Sequence, residues 1–309
     1  MNLKGNHLLS LADFSREQIM LMLDTAADLK RQRYRSVHGT SLSGKSIGMI
    51  FEKPSTRTRV SFEVAIHELE GYPLFLSSQE LQLSRGEPIK DTARVLSRYL
   101  HGIVIRARSH GDVVELANNS TIPVINALTP KFHPCQILAD LLTIREKLNE
   151  LEGLKLAYIG DGNNVCHSLM VGAATMGLEV VVACPESYQP DPGITRVAQE
   201  RAKEALAKVE VTQDVKEASK DADVLYTDVF TSMGQEDEKA QRLEAFLPEY
   251  QINADLLKQA SPHAIVMHCL PAHRDEEITD EVIEGPHSVV WDQAENRLHT
   301  EKAVLALLL

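Results

Sequence analysis

The sequence predicts an α/β protein with two domains, each built on a parallel sheet. Short apolar runs alternate with stretches of helical period along almost the whole chain, the pattern of strands joined by crossover helices. That alternation breaks off near residue 150 and then starts again. At 309 residues the chain is also too long for one ordinary core.

In the first half, strands are expected at Ser46–Phe51, Tyr72–Leu76, Gly102–Arg106 and Pro123–Asn126. Helical patterns fall at 15–33, 56–70, 89–100, 111–119 and 134–149. Ser15 with Gln18 forms a capping box for the first helix. The basic run at its far end, Lys30, Arg31, Arg33 and Arg35, suits the negative end of the helix dipole. In the second half, strands are expected at Lys155–Ile159, Glu179–Ala183, Val209–Thr212, Val224–Thr227, Ala264–His268 and Ser288–Trp291. Helices fit near 164–177, 194–207, 252–260 and 276–284, and an amphipathic run from Gln293 to Leu309 closes the chain. The segment Tyr188–Gly193 reads as a loop and Gly234–Ala240 as a surface excursion. Domains are therefore expected over 1–150, joined by the helix 293–309, and over 151–292. The tail Leu305-Ala306-Leu307-Leu308-Leu309 is expected to dock on the first domain, because so apolar an end is costly in water.

A net charge of −12 argues against a broad face for nucleic acid or an anionic membrane. A small phosphorylated molecule needs only a local basic pocket. No apolar run is long enough to span a bilayer, and the N-terminus has no apolar signal core. The four cysteines, Cys135, Cys166, Cys184 and Cys269, form no CxxC pair, so reduced thiols in a cytoplasmic protein are expected.

Ligands of open parallel sheets bind beyond the carboxyl ends of the strands, and the unusual polar residues fall there. Ser55-Thr56-Arg57-Thr58-Arg59 follows the first strand and opens a helix. Backbone N–H groups and the positive dipole end point at such a place, and guanidinium forks match phosphate oxygens in pairs. The alternative is a capped helix whose arginines pair with carboxylates along it, such as Glu63. Arg106 ends an apolar strand, where its charge needs either a carboxylate or a ligand oxygen. His133, before a helix start, either caps it or donates to developing negative charge. Gln136, one turn on, reaches the same side. Gly160-Asp161-Gly162 resembles half a dinucleotide fingerprint, but position 165 is valine and Cys184-Pro185 stands where the acidic residue is expected, so a nicotinamide cofactor is disfavoured. Cys166-His167 and His268-Cys269 lack zinc-ligand spacing, so no metal is expected. Cys269 is either a nucleophile or, preferably, a small residue shaping a pocket.

Taken together, Ser55–Arg59, Arg106, His133-Pro134-Cys135-Gln136 and His268-Cys269-Leu270-Pro271 resemble the aspartate/ornithine carbamoyltransferase superfamily. Asp161-Gly162-Asn163-Asn164 and Asp228 with Ser232-Met233-Gly234 are similar to its ornithine branch. The resemblance runs from about residue 7 to 305. It implies two Rossmann-like α/β/α domains, with the C-terminal helix packed back on the first. It implies that Ser55, Thr56, Arg57 and Thr58 hold the phosphate of carbamoyl phosphate, with Pro134 and Cys135 beside them. Arg106, His133, Gln136, Cys269 and Arg297 would be the catalytic set, the backbone of Cys269-Leu270 accepting from the carbamoyl amide. Gln82 would reach a neighbouring subunit's site, and Asn164, Asp228, Ser232 and Met233 would bind L-ornithine. A cytoplasmic homotrimer, or a multiple of trimers, is implied, with shared active sites, no cofactor and a place in arginine metabolism. A cis Leu270-Pro271 bond is also implied.

Overall fold

The computed structural model describes every residue except 1, 36–38, 78–80, 83–85 and 233. The chain forms two compact units, Met1–Leu142 with Asn296–Leu309, and Thr143–Glu295.

The first unit carries strands β1 (Ser46–Phe51), β2 (Tyr72–Ser77), β3 (Gly102–Arg106) and β4 (Val124–Leu128). They pair in the order β2-β1-β3-β4, all parallel. Helices α1 (Arg16–Tyr34), α2 (Thr56–Glu68), α3 (Ile89–Tyr99) and α4 (His110–Asn119) lie between or before the strands in sequence, and α5 (Pro134–Leu148) follows β4. β1 and β3 are almost wholly buried, as central parallel strands must be. The capping box of α1 is present: the Gln18 N–H donates to Ser15 Oγ at 3.4 Å, and the Ser15 N–H to Gln18 Oε1 at 2.8 Å. β4 starts one residue later than expected, since Pro123 has no N–H and offers the sheet only its carbonyl, which accepts from Ile103 N at 2.9 Å.

The second unit carries β5 (Lys155–Ile159), β6 (Glu179–Ala183), β7 (Val209–Thr212), β8 (Val224–Thr227) and β9 (Ile265–His268). Their order is β7-β6-β5-β8-β9, again all parallel. Helices α6 (Asn164–Thr175), α7 (Pro192–Glu204), α8 (Val215–Ser219), α9 (Lys239–Phe246) and α10 (Ala254–Leu257) lie between them in sequence, and α11 (Asp280–Ile283) and α12 (Val290–Leu308) follow β9.

Several expectations are corrected here. Ser288–Trp291 is not a strand. It meets β9 through one parallel bridge, Val266 to Ser288, and α12 begins at Val290. Gly234–Ala240 is mostly exposed, in keeping with a surface excursion, but its last two residues open α9, which buries Phe246 against Phe230 with ring centroids 4.5 Å apart. The helix expected at 276–284 shrinks to α11, because Ile278 bridges Ile252 in an extended conformation.

The last residues pack in the first unit. Leu305 and Leu308 are buried, Gly5 N donates to Leu308 O at 2.8 Å, and Lys45 Nζ to Leu309 O at 3.1 Å. Among the described residues no helix is long and apolar enough to cross a membrane.

Candidate active site

In the first unit, Ser55 caps α2, its Oγ accepting from Thr58 N at 3.3 Å. The first turn contains no acidic residue, so nothing there neutralises the dipole end. Thr56 and Arg57 are exposed on this turn and Thr58 is buried. Arg59 belongs to the alternative reading: it pairs with Glu63 at 2.9 Å and lies over the Phe75 ring at 3.7 Å.

Arg106, the last residue of β3, is 5% exposed. Its Nε has no hydrogen-bond partner, and among the described residues no carboxylate pairs with it. The ion pair considered from sequence is therefore not formed among the described residues. Burial pushes the Arg106 guanidinium down to about 10, and the charges of Arg297 and Arg57 push the same way. His133 is buried, and its pKa is held well below the usual imidazole value, first by burial and then by Arg297 and Arg106. It is thus neutral near pH 7, able to donate a hydrogen bond without carrying charge. Its carbonyl accepts from Gln136 N and Ile137 N, so the helix start is closed by backbone. Pro134 and Cys135 open α5. Burial raises the Cys135 thiol, whose Sγ donates to Asn126 O at 3.5 Å, which leaves it inert.

Arg297 lies two turns inside α12. Its Nη1 donates to Gln136 Oε1 at 2.9 Å and its Nη2 to Thr58 Oγ1 at 3.4 Å. Its Nε and Nη2 both donate to Glu301 Oε1, at 3.1 and 2.7 Å. Gln136 Nε2 in turn donates to Asp140 Oδ1 at 2.8 Å. Thr58, Gln136 and Arg297 thus form one network, with Arg57, Arg106 and His133 within electrostatic reach. Glu301 is a member that sequence reasoning missed. Gln82 is exposed, its carbonyl accepting from Glu87 N at 3.2 Å, and it touches none of these groups in the structure.

In the second unit, Asp228 follows β8 and is buried. Its Oδ2 accepts from Asn163 Nδ2 at 2.8 Å and its Oδ1 from Cys269 Sγ at 3.0 Å. Asn163 also caps α6, its Oδ1 accepting from Val165 N at 2.9 Å and Cys166 N at 3.1 Å. Asn163 is therefore the residue that orients Asp228, while Asn164 is the first helical residue beside it. Ser232 is half-buried and turns back on Gln235, its N–H donating to Gln235 Oε1 at 3.0 Å. Met233 lies outside the described residues. Leu270 has φ +58, and the Leu270-Pro271 bond is cis.

Asp228, His268 and Cys269 place ligand-type atoms within 4.8 Å of one another. Both nitrogens of His268 are already engaged, Nδ1 accepting from Leu270 N at 2.8 Å and Nε2 bonded to Glu277 Oε1 at 3.0 Å. Neither is left for an ion. The Gly160-Asp161-Gly162 turn is also committed. Asp161 is bound by Arg242 at 3.1 Å, and a Cβ at Gly162 would lie 2.2 Å from Pro190 N, so the neighbouring loop fills the space a pyrophosphate would need. Burial raises the Asp161 carboxyl to about 6, against the pull of Arg242.

The fold and these sites define a two-unit α/β protein, with a cluster of arginines beyond one parallel sheet and a buried carboxylate beyond the other. The family model described as "Aspartate/ornithine carbamoyltransferase, carbamoyl-P binding domain" matches residues 6–146. The model described as "Aspartate/ornithine carbamoyltransferase, Asp/Orn binding domain" matches residues 152–308. The chain belongs to the aspartate/ornithine carbamoyltransferase family. It is 55% identical over 303 residues to a protein of Archaeoglobus fulgidus named ornithine carbamoyltransferase, covering 98% of this chain and 97% of the relative. It is 56% identical to one of the same name from Methanothermobacter thermautotrophicus, covering 98% of each. The structure is similar to that of an ornithine carbamoyltransferase from Pyrococcus furiosus, with a TM-score of 0.97 and 53% identity over 100% of this chain and 98% of that one.

Proposed function

We propose that the chain transfers the carbamoyl group of carbamoyl phosphate to the δ-amine of L-ornithine, giving L-citrulline and phosphate. The observation that carries this reading is Arg106. Among the described residues it is a buried cation with no carboxylate partner, repelled by Arg57 and Arg297. Such a site is incomplete without an anion, and the phosphate of the donor completes it.

Ser55, Thr56, Arg57 and Thr58 hold the phosphate at the start of α2. Arg106 bridges phosphate and carbonyl oxygens. Neutral His133 and Thr58 donate to the carbonyl oxygen as it gains charge, which stabilises the transition state more than the bound donor. Gln136 positions the carbamoyl amide, and the Cys269-Leu270 backbone accepts from it. Arg297 adds positive charge while fixing Gln136 and Thr58. Asp228, Asn164, Ser232 and Met233 bind the amino-acid end of ornithine, Asp228 pairing with its α-ammonium. The δ-amine reacts once neutral: its nitrogen bonds to the carbonyl carbon, the carbon–oxygen bond to phosphate breaks, and the surplus amine proton passes to the departing phosphate.

The enzyme works in the cytoplasm as a homotrimer or a multiple of trimers, with Gln82 reaching a neighbouring site. Exposed apolar side chains on β2 and α2, Tyr72, Phe75 and Val60, support association of copies. The biosynthetic direction is supported by a 53% identical relative from Pyrococcus furiosus named "Ornithine carbamoyltransferase, anabolic". A colorimetric citrulline assay tests the reaction. Citrulline is expected from carbamoyl phosphate with ornithine, and no carbamoylated product with aspartate or putrescine in its place. Absence of citrulline, or faster turnover of another amine, overturns the assignment.

A further inference from the structure

One buried carboxylate is unused by the proposed chemistry. Glu277 is 0% exposed and sits beyond the 268–273 loop. Its own backbone is fixed, since Glu277 O accepts from Ile252 N at 2.9 Å. Its Oε1 meets two groups that bracket the loop, His268 Nε2 at 3.0 Å and His273 N at 2.6 Å. The far nitrogen of the same imidazole, His268 Nδ1, accepts from Leu270 N at 2.8 Å.

These bonds fix a tautomer. Nδ1 accepts a hydrogen bond, so it carries no proton, and the ring proton sits on Nε2 and faces Glu277. The chain of contacts then continues through covalent geometry. The Leu270 N–H and the Cys269 C=O belong to one planar trans peptide unit and point in opposite directions. Holding that N–H against the imidazole therefore aims the Cys269 carbonyl directly away from it. Leu270 needs such holding, because φ +58 is a conformation that a leucine rarely adopts. Cys269 is tied on its other side by Sγ to Asp228 Oδ1 at 3.0 Å, so a shift of this peptide unit also disturbs Asp228.

We infer that Glu277 is a positioning residue for carbamoyl transfer, acting through the His268 imidazole to set the Cys269–Leu270 peptide. The inference rests on the reaction proposed above, in which that backbone accepts from the carbamoyl amide. Glu277 touches no substrate. It chooses the imidazole tautomer and closes the loop from both ends. The bonds ask only for an acceptor oxygen at Oε1, so the neutral isostere serves as well as the carboxylate.

The test compares Glu277→Gln and Glu277→Ala with the unchanged enzyme, using the citrulline assay, active-site titration with a bisubstrate analogue, and hydrogen exchange of the peptide covering 268–275. Glu277→Gln is expected to stay within about threefold of the parent in kcat. Glu277→Ala is expected to lose about 100-fold in kcat per titrated site, the scale of a misplaced reacting group, with faster exchange at Leu270. A merely structural role would lower the number of titratable sites and leave kcat per site unchanged. Should Glu277→Ala fail to fold, His268→Phe, which removes the Nδ1 acceptor, is measured in its place with the same expectation. A parent that forms no citrulline sinks the reaction. A parent that forms it, with Glu277→Ala matching its kcat per site, or Glu277→Gln as damaged as Glu277→Ala, sinks the positioning role alone.

Discussion

Arg106→Met is expected to make the unliganded protein more stable while abolishing its activity. The folded chain lowers the Arg106 guanidinium from its ordinary value to about 10, through burial first and the charges of Arg297 and Arg57 second. Arginine stays protonated at every working pH, so the shift measures what the fold pays to hold the charge. Each pKa unit is about 1.4 kcal/mol, which puts the cost at up to about 3 kcal/mol at any pH below about 10. Methionine keeps much of the length and removes the charge, the kind of exchange that often stabilises a buried ionic site. For a unit of roughly 150 residues, about 1 kcal/mol moves Tm by ~2–4 °C, so the first unit should melt higher by roughly 2–10 °C. Thermal scans with and without inorganic phosphate read this directly. Phosphate at a hundredfold excess over its Kd should stabilise the parent by about 2.7 kcal/mol and the variant much less. A variant that melts below the parent without phosphate would show that the charge of Arg106 is satisfied within the protein. Equal stabilisation of both by phosphate would place the anion elsewhere.

Glu301 supplies a pH prediction of definite sign. Burial raises its carboxyl from 4.5 to about 7, although Arg297 pulls it back. The folded state therefore holds more protons than the unfolded one between these values, and stability falls as pH rises through the window, by at most about 3 kcal/mol. Glu301→Gln should flatten that part of the profile in urea unfolding at pH 5 and 7.5; a parent–variant difference equal at both would refute it. Asp228→Ala should spare carbamoyl phosphate binding and weaken ornithine binding by tenfold or more, and calorimetry showing equal loss of both would reject the role given to Asp228. Gly162→Ala forces a Cβ to within 2.2 Å of Pro190 N and 2.5 Å of Gln189 C, both backbone atoms. It should destabilise the second unit by about 2 kcal/mol or more, and an unchanged melting curve would mean that the 189–190 loop yields freely.

The alternation of β and α was legible because parallel strands are buried on both faces and read as unbroken apolar runs. Ser288–Trp291 failed for the same reason, since a short apolar run has no period to separate a strand end from a helix start. α9 was hidden by the acidic residues before it, and only Arg242 and Phe246 on it are buried. Within the site, Ser55 and Thr58 were readable because a helix cap is local, and Arg106 because a charge ending an apolar strand is conspicuous. Glu301 was not readable. It stands four residues after Arg297, a spacing that on most helices marks a solvated pair, and only the packing of α12 makes it buried. Glu277 lies in the run Asp275-Glu276-Glu277, where nothing local distinguishes the one carboxylate that folds inward.

The first unit takes its last segment, Asn296–Leu309, from beyond the whole of the second. On the ribosome, Arg297 and Glu301 therefore emerge after every residue of the second unit has been made. A nascent chain lacking that segment presents Arg57, Arg106 and His133 without the guanidinium that braces Thr58 and Gln136. The brace across Thr58 and Gln136 can therefore close only after translation has passed the whole of the second unit.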